Sequence, residues 1–181
     1  MYILEFYYEK IIKPDLLNKF KYKSIEHIPS IKKVVLNFGC KNHEIKSIAA
    51  ALLSLELISN KRGNVKKSRK PNVFLKIRKG APIGCSVILK NRAMYLFLFK
   101  LIVEIFPILK DFKGIPFYLN KKKYNNFSFY IEDLVGLKEL KNHFYLFNNL
   151  PSLNITIVTN TKTEYEFLYL LKSFKIPLLL K

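Results

Sequence analysis

The chain has 181 residues, 32 of them Lys or Arg against 13 Asp or Glu, which gives a formal net charge of +19. Half of the residues are hydrophobic, with 15 Phe and 11 Tyr, so a disordered basic tail is excluded and a single folded domain, 1–181, with its own core is predicted. A positive excess of this size goes beyond what solubility needs and points to a polyanion, either nucleic acid or an anionic membrane surface.

Along the chain, Ile3 to Phe20 carries apolar residues at helical spacing, and Pro14 must start a new first turn or kink the helix. The acidic Glu5 and Glu9 and the missing basic n-region do not resemble a signal or transit peptide, so the protein is expected to be made in the compartment where it works. "SIKKVVLNFG", Ser30 to Gly39, is β-branched and bounded by Pro29 and Gly39, which predicts a strand. Ser47 is the expected cap of a helix reading "SIAAALLSLELIS". Arg62 to Lys67 and Ile83 to Leu89 are predicted to pair as a ribbon, with the basic stretch 66–80 projecting as a long loop.

Asn91 opens a helix whose Met94, Phe97, Leu98, Leu101, Ile102 and Ile105 form one apolar face, and Pro107 is its expected end. The run Met94 to Leu109 is shorter than the ~20 residues of a spanning helix and contains Lys100 and Glu104, so it reads as a buried helix. Between Lys113 and Leu150 the pattern weakens, and short strands such as "FSFYI" are expected. "NITIVTN" is a strand, and Thr163 with Glu166 matches a capping box before Phe167, Leu168, Leu171 and Phe174, closed by Lys172, Lys175 and Pro177. The fold class that follows is α+β: a largely antiparallel sheet with helices packed on one face, the other face free to bind, and a long basic loop between two strands.

Catalytic chemistry finds no support. Gly80 and Gly84 are not followed by Lys-Ser/Thr, so tight-turn chemistry explains Gly80, Pro82 and Gly84 better than a phosphate loop. His27, His43 and His143 have no acidic or cysteine partner at metal-ligand spacing. Glu132 and Asp133 point apart on a strand. Cys40 and Cys85 suit a reduced compartment, and Cys85, within an apolar strand, reads as an inert small hydrophobe. No enzyme activity, cofactor or metal is expected.

What remains is charge. No carboxylate occurs between Glu56 and Glu104, whereas Lys61, Arg62, Lys66, Lys67, Arg69, Lys70, Lys76, Arg78 and Lys79 fall close together. A solvated face mixes signs; this one does not, which favours polyanion binding. RNA is preferred over duplex DNA because the charge sits on a loop and strands rather than a recognition helix. Two alternatives stand beside this reading. An RNA-processing enzyme needs an acid, base or metal constellation, and a cationic peripheral membrane protein needs basic and apolar faces on one helix, whereas here they are separate segments.

The run "IRKGAPIGCSVIL", then "NRAMYLFLFKLI" and "DFKG", resembles the large-subunit ribosomal protein L five family. So do the opening "YYEKIIKPDLLNKFKYKSIEHIPSIKKVVLNFG" and the closing "LNITIVTNTKTEYEFLYLLKSFKIPL", in the family's order and spacing. The resemblance implies a structural constituent of the large subunit's central protuberance that binds 5S rRNA and large-subunit rRNA. It implies a basic loop near the P-site tRNA, a bridge to a small-subunit head protein, neighbouring large-subunit proteins as partners, and no membrane. Carried over, Lys33, Asn37, Gly39, Lys61, Arg62 and Lys66 are candidate rRNA contacts. Lys67, Arg69, Lys70, Phe74, Lys76, Arg78 and Lys79 are candidate tRNA or rRNA contacts of the loop. The family's loop tip is small, often Val-Ala-Gly; here it reads Pro71-Asn72-Val73-Phe74, which offers an aromatic ring for stacking. "KKKYNN" at Lys121 to Asn126 replaces the family's glycine-rich segment. The surplus of Lys, Ile, Phe, Tyr and Asn fits an AT-rich genome and an organelle-encoded protein of a mitochondrial matrix ribosome, with plastid or bacterial cytoplasm as alternatives.

Overall fold

The computed structural model of the protein describes residues 3–40, 45–74, 77–109, 112–117, 125–132, 134 and 136–180. The first helical stretch has three parts: α1 (Ile3–Tyr7), a π-helical turn (Tyr8–Ile12) and α2 (Lys13–Lys19). Pro14 opens α2 directly after the π turn, where Lys13 N–H donates to Tyr8 O five residues back. Strand β1 is Ile31–Gly39, and helix α3 is Ile45–Ser59. Ser47 therefore lies inside the first turn of α3 rather than at its cap, because the helix starts two residues earlier.

Strand β2 (Asn64–Lys67) and strand β3 (Pro82–Leu89) follow, then α4 (Asn91–Lys100), a second π turn (Leu101–Ile105) and α5 (Phe106–Ile108). The expected stop at Pro107 is not a stop. A π turn precedes it, with Phe106 N–H donating to Leu101 O, and proline occupies the first turn of α5, where its missing N–H costs no hydrogen bond. The weakly patterned middle holds β4 (Ile115–Phe117), β5 (Asn126–Ile131), α6 (Lys138–Lys141) and α7 (Phe144–Phe147), and the chain closes with β6 (Leu153–Thr159), α8 (Glu164–Ser173) and β7 (Leu178–Leu180). Asp111, Lys121 to Tyr124 and Asp133 lie outside the described residues.

The fold is α+β, with a five-stranded antiparallel sheet in the order β2-β3-β1-β6-β5. A separate parallel pair, β4 with β7, matches Ile115 to Leu178 and Phe117 to Leu180. Strand β5 has a clean alternation: Phe127, Phe129 and Ile131 are buried, while Asn126, Ser128 and Tyr130 are exposed. The chain divides into two compact units.

The first unit, residues 1–34, 90–129 and 156–181, has an aromatic core. Phe117 stands 5.8 Å from Phe127 and 5.9 Å from Phe167, and Phe106 is stacked on Phe112 at 4.9 Å. Tyr8, on the first π turn, stacks on Phe174 at 5.9 Å and donates its hydroxyl to Pro29 O at 2.9 Å. Asn160 accepts from Ser30 N–H at 2.6 Å and donates to Ile28 O at 3.1 Å, which ties the start of β1 to the end of β6. At α8 the predicted capping box is complete: Thr163 accepts from Glu166 N–H, and Glu166 accepts from Thr163 N–H. Its far end closes as a Schellman motif, with Lys175 N–H on Lys172 O and Ile176 N–H on Leu171 O. Lys175 holds φ +60°, a conformation usually left to glycine.

The second unit, residues 35–89 and 130–155, packs α3 against β3. Leu36, Phe38, Leu55, Ile58, Val87, Leu89, Leu140 and Phe147 form its core.

Candidate nucleic-acid interface

The basic segment is carried by the β2–β3 ribbon. Asn64 pairs with Ser86, Val65 with Cys85 and Lys66 with Gly84; after one bulge, Lys67 pairs with Pro82. Gly84 is not a turn residue. It sits within β3, and a Cβ there would lie 2.2 Å from Phe38 O, so its absent side chain lets β3 approach β1. The turn role belongs to Gly80, whose φ is +84° in the turn closed by Ala81 N–H on Arg78 O at 3.1 Å.

Beyond Pro82 the segment is more ordered than a loop. Ser68 N–H donates to Ala81 O at 2.8 Å, and Gly80 N–H donates to Ser68 O at 2.9 Å. Asn72 and Ile77 exchange both backbone hydrogen bonds at 2.9 Å, as an isolated antiparallel bridge. That bridge keeps the register of the Lys67–Pro82 pair, five residues further along each arm. The projection is one hairpin with a gap in its ladder.

The base of the hairpin is held by the last carboxylate before the acid-free stretch. Glu56 Oε1, on α3, accepts from Gly63 N–H at 2.8 Å, and a Cβ on Gly63 would meet Leu52 Cδ1 at 2.7 Å. Lys61 Nζ donates to Ile88 O at 3.1 Å, so its charge lies along β3. Arg62, Lys66, Lys67, Arg69, Lys70, Arg78 and Lys79 are all exposed on this hairpin and its approach. Fully solvated, a like-charge pair about 4 Å apart costs ~1 kcal/mol in bulk water and is further screened by salt, so exposure limits the repulsion that the hairpin carries.

Phe74 is 98% exposed at the tip and Val73 89%. Lys76 lies outside the described residues. Lys33 and Asn37 alternate with the buried Val34, Leu36 and Phe38 on β1, half-buried on its other side. Lys33 belongs to the first unit, whereas Asn37 and Gly39 belong to the unit that carries the hairpin. Gly39 is exposed, and a Cβ there would meet nothing within 4 Å.

Sequence reasoning missed Val73, the bridging roles of Ser68 and Asn72, and the exposed row Asn126, Ser128 and Tyr130. Ser128 Oγ is 2.9 Å from Thr156 Oγ1, which extends that row onto β6. The alternation in "NFSFYI" was the available signal. The inert reading of Cys85 fits its surroundings: it is fully buried, and burial pushes its thiol up to about 12. His27 is exposed with Nδ1 2.9 Å from Ser24 Oγ, and His143 is exposed beside Tyr145; His43 lies outside the described residues. No helix among the described residues is long and apolar enough to cross a membrane.

A model of the C-terminus of the ribosomal L5 family matches residues 82–178, beginning at the first residue of β3. Relatives align over nearly the whole chain. The large ribosomal subunit protein uL5m of Reclinomonas americana is 42% identical over 177 residues, 97% of each chain. The uL5 of Wigglesworthia glossinidia brevipalpis is 35% identical over 94% of this chain and 96% of its own. The uL5c of Stigeoclonium helveticum is 35% identical over 94% of each.

Proposed function

We propose that this chain, which belongs to the uL5 family of large ribosomal subunit proteins and is a structural constituent rather than an enzyme, binds 5S rRNA and large-subunit rRNA in the central protuberance, with its basic hairpin directed at the P-site tRNA. The observation that carries this reading is the hairpin: an ordered, exposed arm with no carboxylate between Glu56 and Glu104. Phosphate contacts supply most of the affinity in such an arm.

In this reading Lys33, Asn37, Gly39, Lys61, Arg62 and Lys66 meet rRNA, and the open space at Gly39 favours close approach of a sugar-phosphate chain. Lys67, Arg69, Lys70, Phe74, Lys76, Arg78 and Lys79 meet tRNA or rRNA. A small-subunit head protein and neighbouring large-subunit proteins complete the contacts. The ribosome is organellar and the compartment the mitochondrial matrix, a reading supported by 42% identity to an organellar uL5m; related uL5c and bacterial uL5 proteins keep plastid and bacterial ribosomes as the alternatives.

Ultraviolet cross-linking of the protein in purified ribosomes, followed by sequencing of the attached RNA, tests it. Cross-links to 5S rRNA and to a neighbouring stretch of large-subunit rRNA are expected. Replacing Arg69, Lys76 and Arg78 with Ala should reduce tRNA cross-linking while leaving 5S incorporation in place. Cross-links to proteins alone would refute the reading, and loss of 5S incorporation with intact tRNA contact would reverse the division of roles.

A further inference from the structure

The geometry of the hairpin tip points to a second mode of contact, and it rests on the RNA-binding reading above: we propose that Val73 and Phe74 form an apolar wedge whose ring stacks on an unpaired base. Phe74 is 98% exposed and Val73 89%, so neither is held by the protein's own core. A turn closed by Asn72 and Ile77 has no need of an aromatic residue at this place. The same two hydrogen bonds at 2.9 Å tie the arms together just before the tip, and a ring presented next to a closed backbone pair loses less entropy on docking than one on a loose loop.

The tip's neighbours select the partner. Arg69 and Lys70 lead into it and Arg78 and Lys79 lead out, all exposed and all cationic. A surface that presents phosphates together with a free π-face is RNA with an unstacked base. A perfect duplex offers phosphates and 2′-hydroxyls but no open face, so the wedge discriminates loops from helices where the basic stem does not. An anionic membrane would also attract the cations, but so short an apolar segment, not part of an amphipathic helix, is a small area to insert.

The chain contains no Trp, so Phe74→Trp places a single indole at the tip. Three probes are titrated: an RNA hairpin with an unpaired loop, a duplex of equal length, and phosphatidylglycerol vesicles. The expected result is indole quenching by the looped RNA only. Phe74→Ala should weaken looped-RNA binding about tenfold, the size of one lost base stack, with an unchanged salt slope and no change for the duplex. Phe74→Tyr should restore binding and Phe74→Leu should not. Equal losses on both RNAs, rescue by Leu, or an indole that shifts to the blue with vesicles and is unquenched by RNA would each overturn the inference. Wild-type binding in the same series separates the two readings: no RNA binding at all defeats the function, whereas binding indifferent to Phe74→Ala defeats only the wedge.

Discussion

Two glycine-related positions show how single residues set the local backbone, and they respond to substitution in opposite directions. Lys175 occupies a left-handed position at φ +60° that costs a non-glycine residue roughly 1–2 kcal/mol. Lys175→Gly is therefore expected to stabilise the protein by up to about 1 kcal/mol and raise the melting temperature by ~2–4 °C, which differential scanning calorimetry would read. Gly84 is the reverse case: a methyl there meets a backbone oxygen that cannot swing aside. Gly84→Ala should cost at least ~1–3 kcal/mol in urea unfolding, while Gly39→Ala, which meets nothing, stays within ~0.5 kcal/mol of wild type. An unmoved midpoint for Gly84→Ala would mean that the β1–β3 approach is looser than described.

Buried titratable groups make a further residue-scale statement. Burial raises the Cys85 thiol to about 12 from an ordinary 9.0, and the Tyr95 hydroxyl to about 12 from 10.0; Tyr8 moves in the same direction. Since the folded values lie above the unfolded ones, the stability they contribute is complete below 9.0 and is lost as pH rises through about 12. Urea melts at increasing pH should show a plateau below 9.0 and a decline between 9.0 and about 12, and Cys85 should resist a thiol reagent until the chain is unfolded.

At the scale of elements, legibility in the sequence followed locality. The capping box at Thr163 and Glu166 was readable because both partners lie within one turn, and the structure forms both of its hydrogen bonds. Thr163→Ala should cost about 1 kcal/mol, and adding Glu166→Ala should cost less than the sum of the two single effects, since each deletion already opens the box. Additive losses in a double-mutant cycle would show that the two halves act separately. The π turns before Pro14 and Pro107 were not readable, because a shift from 3.6 residues per turn over one turn moves the apolar pattern by less than a residue. Nor was β7: "LLL" carries no alternation, and its pairing with β4 joins segments some sixty residues apart. The candidate site divides in the same way. Its charge is a property of composition and was visible, whereas the Asn72–Ile77 bridge and the close approach at Gly84 depend on register, which single-strand patterns do not report.

Over the whole molecule, a charge of +19 makes salt act with opposite signs on stability and on binding. Without RNA the like charges repel across a screening length of about 10 Å at ~0.1 M salt, so added salt should raise the melting temperature of the isolated protein. RNA binding should move the other way, because each phosphate neutralised by Lys or Arg releases counterions whose return salt favours. The described hairpin presents Lys66, Lys67, Arg69, Lys70, Arg78 and Lys79. If all of them meet phosphates, log affinity should fall against log salt with a slope of about −4 to −5, and replacing Arg69 and Arg78 with Ala should lessen it by about two. Filter binding across a salt series reads the slope, and a melting series in the same buffers reads the other sign. A flat binding series would remove the phosphate contacts from the account. A melting temperature that falls with salt would mean that attractive ion pairs, rather than repulsion, dominate the folded surface, and the acid-free arm would then lose its reason to wait for a polyanion.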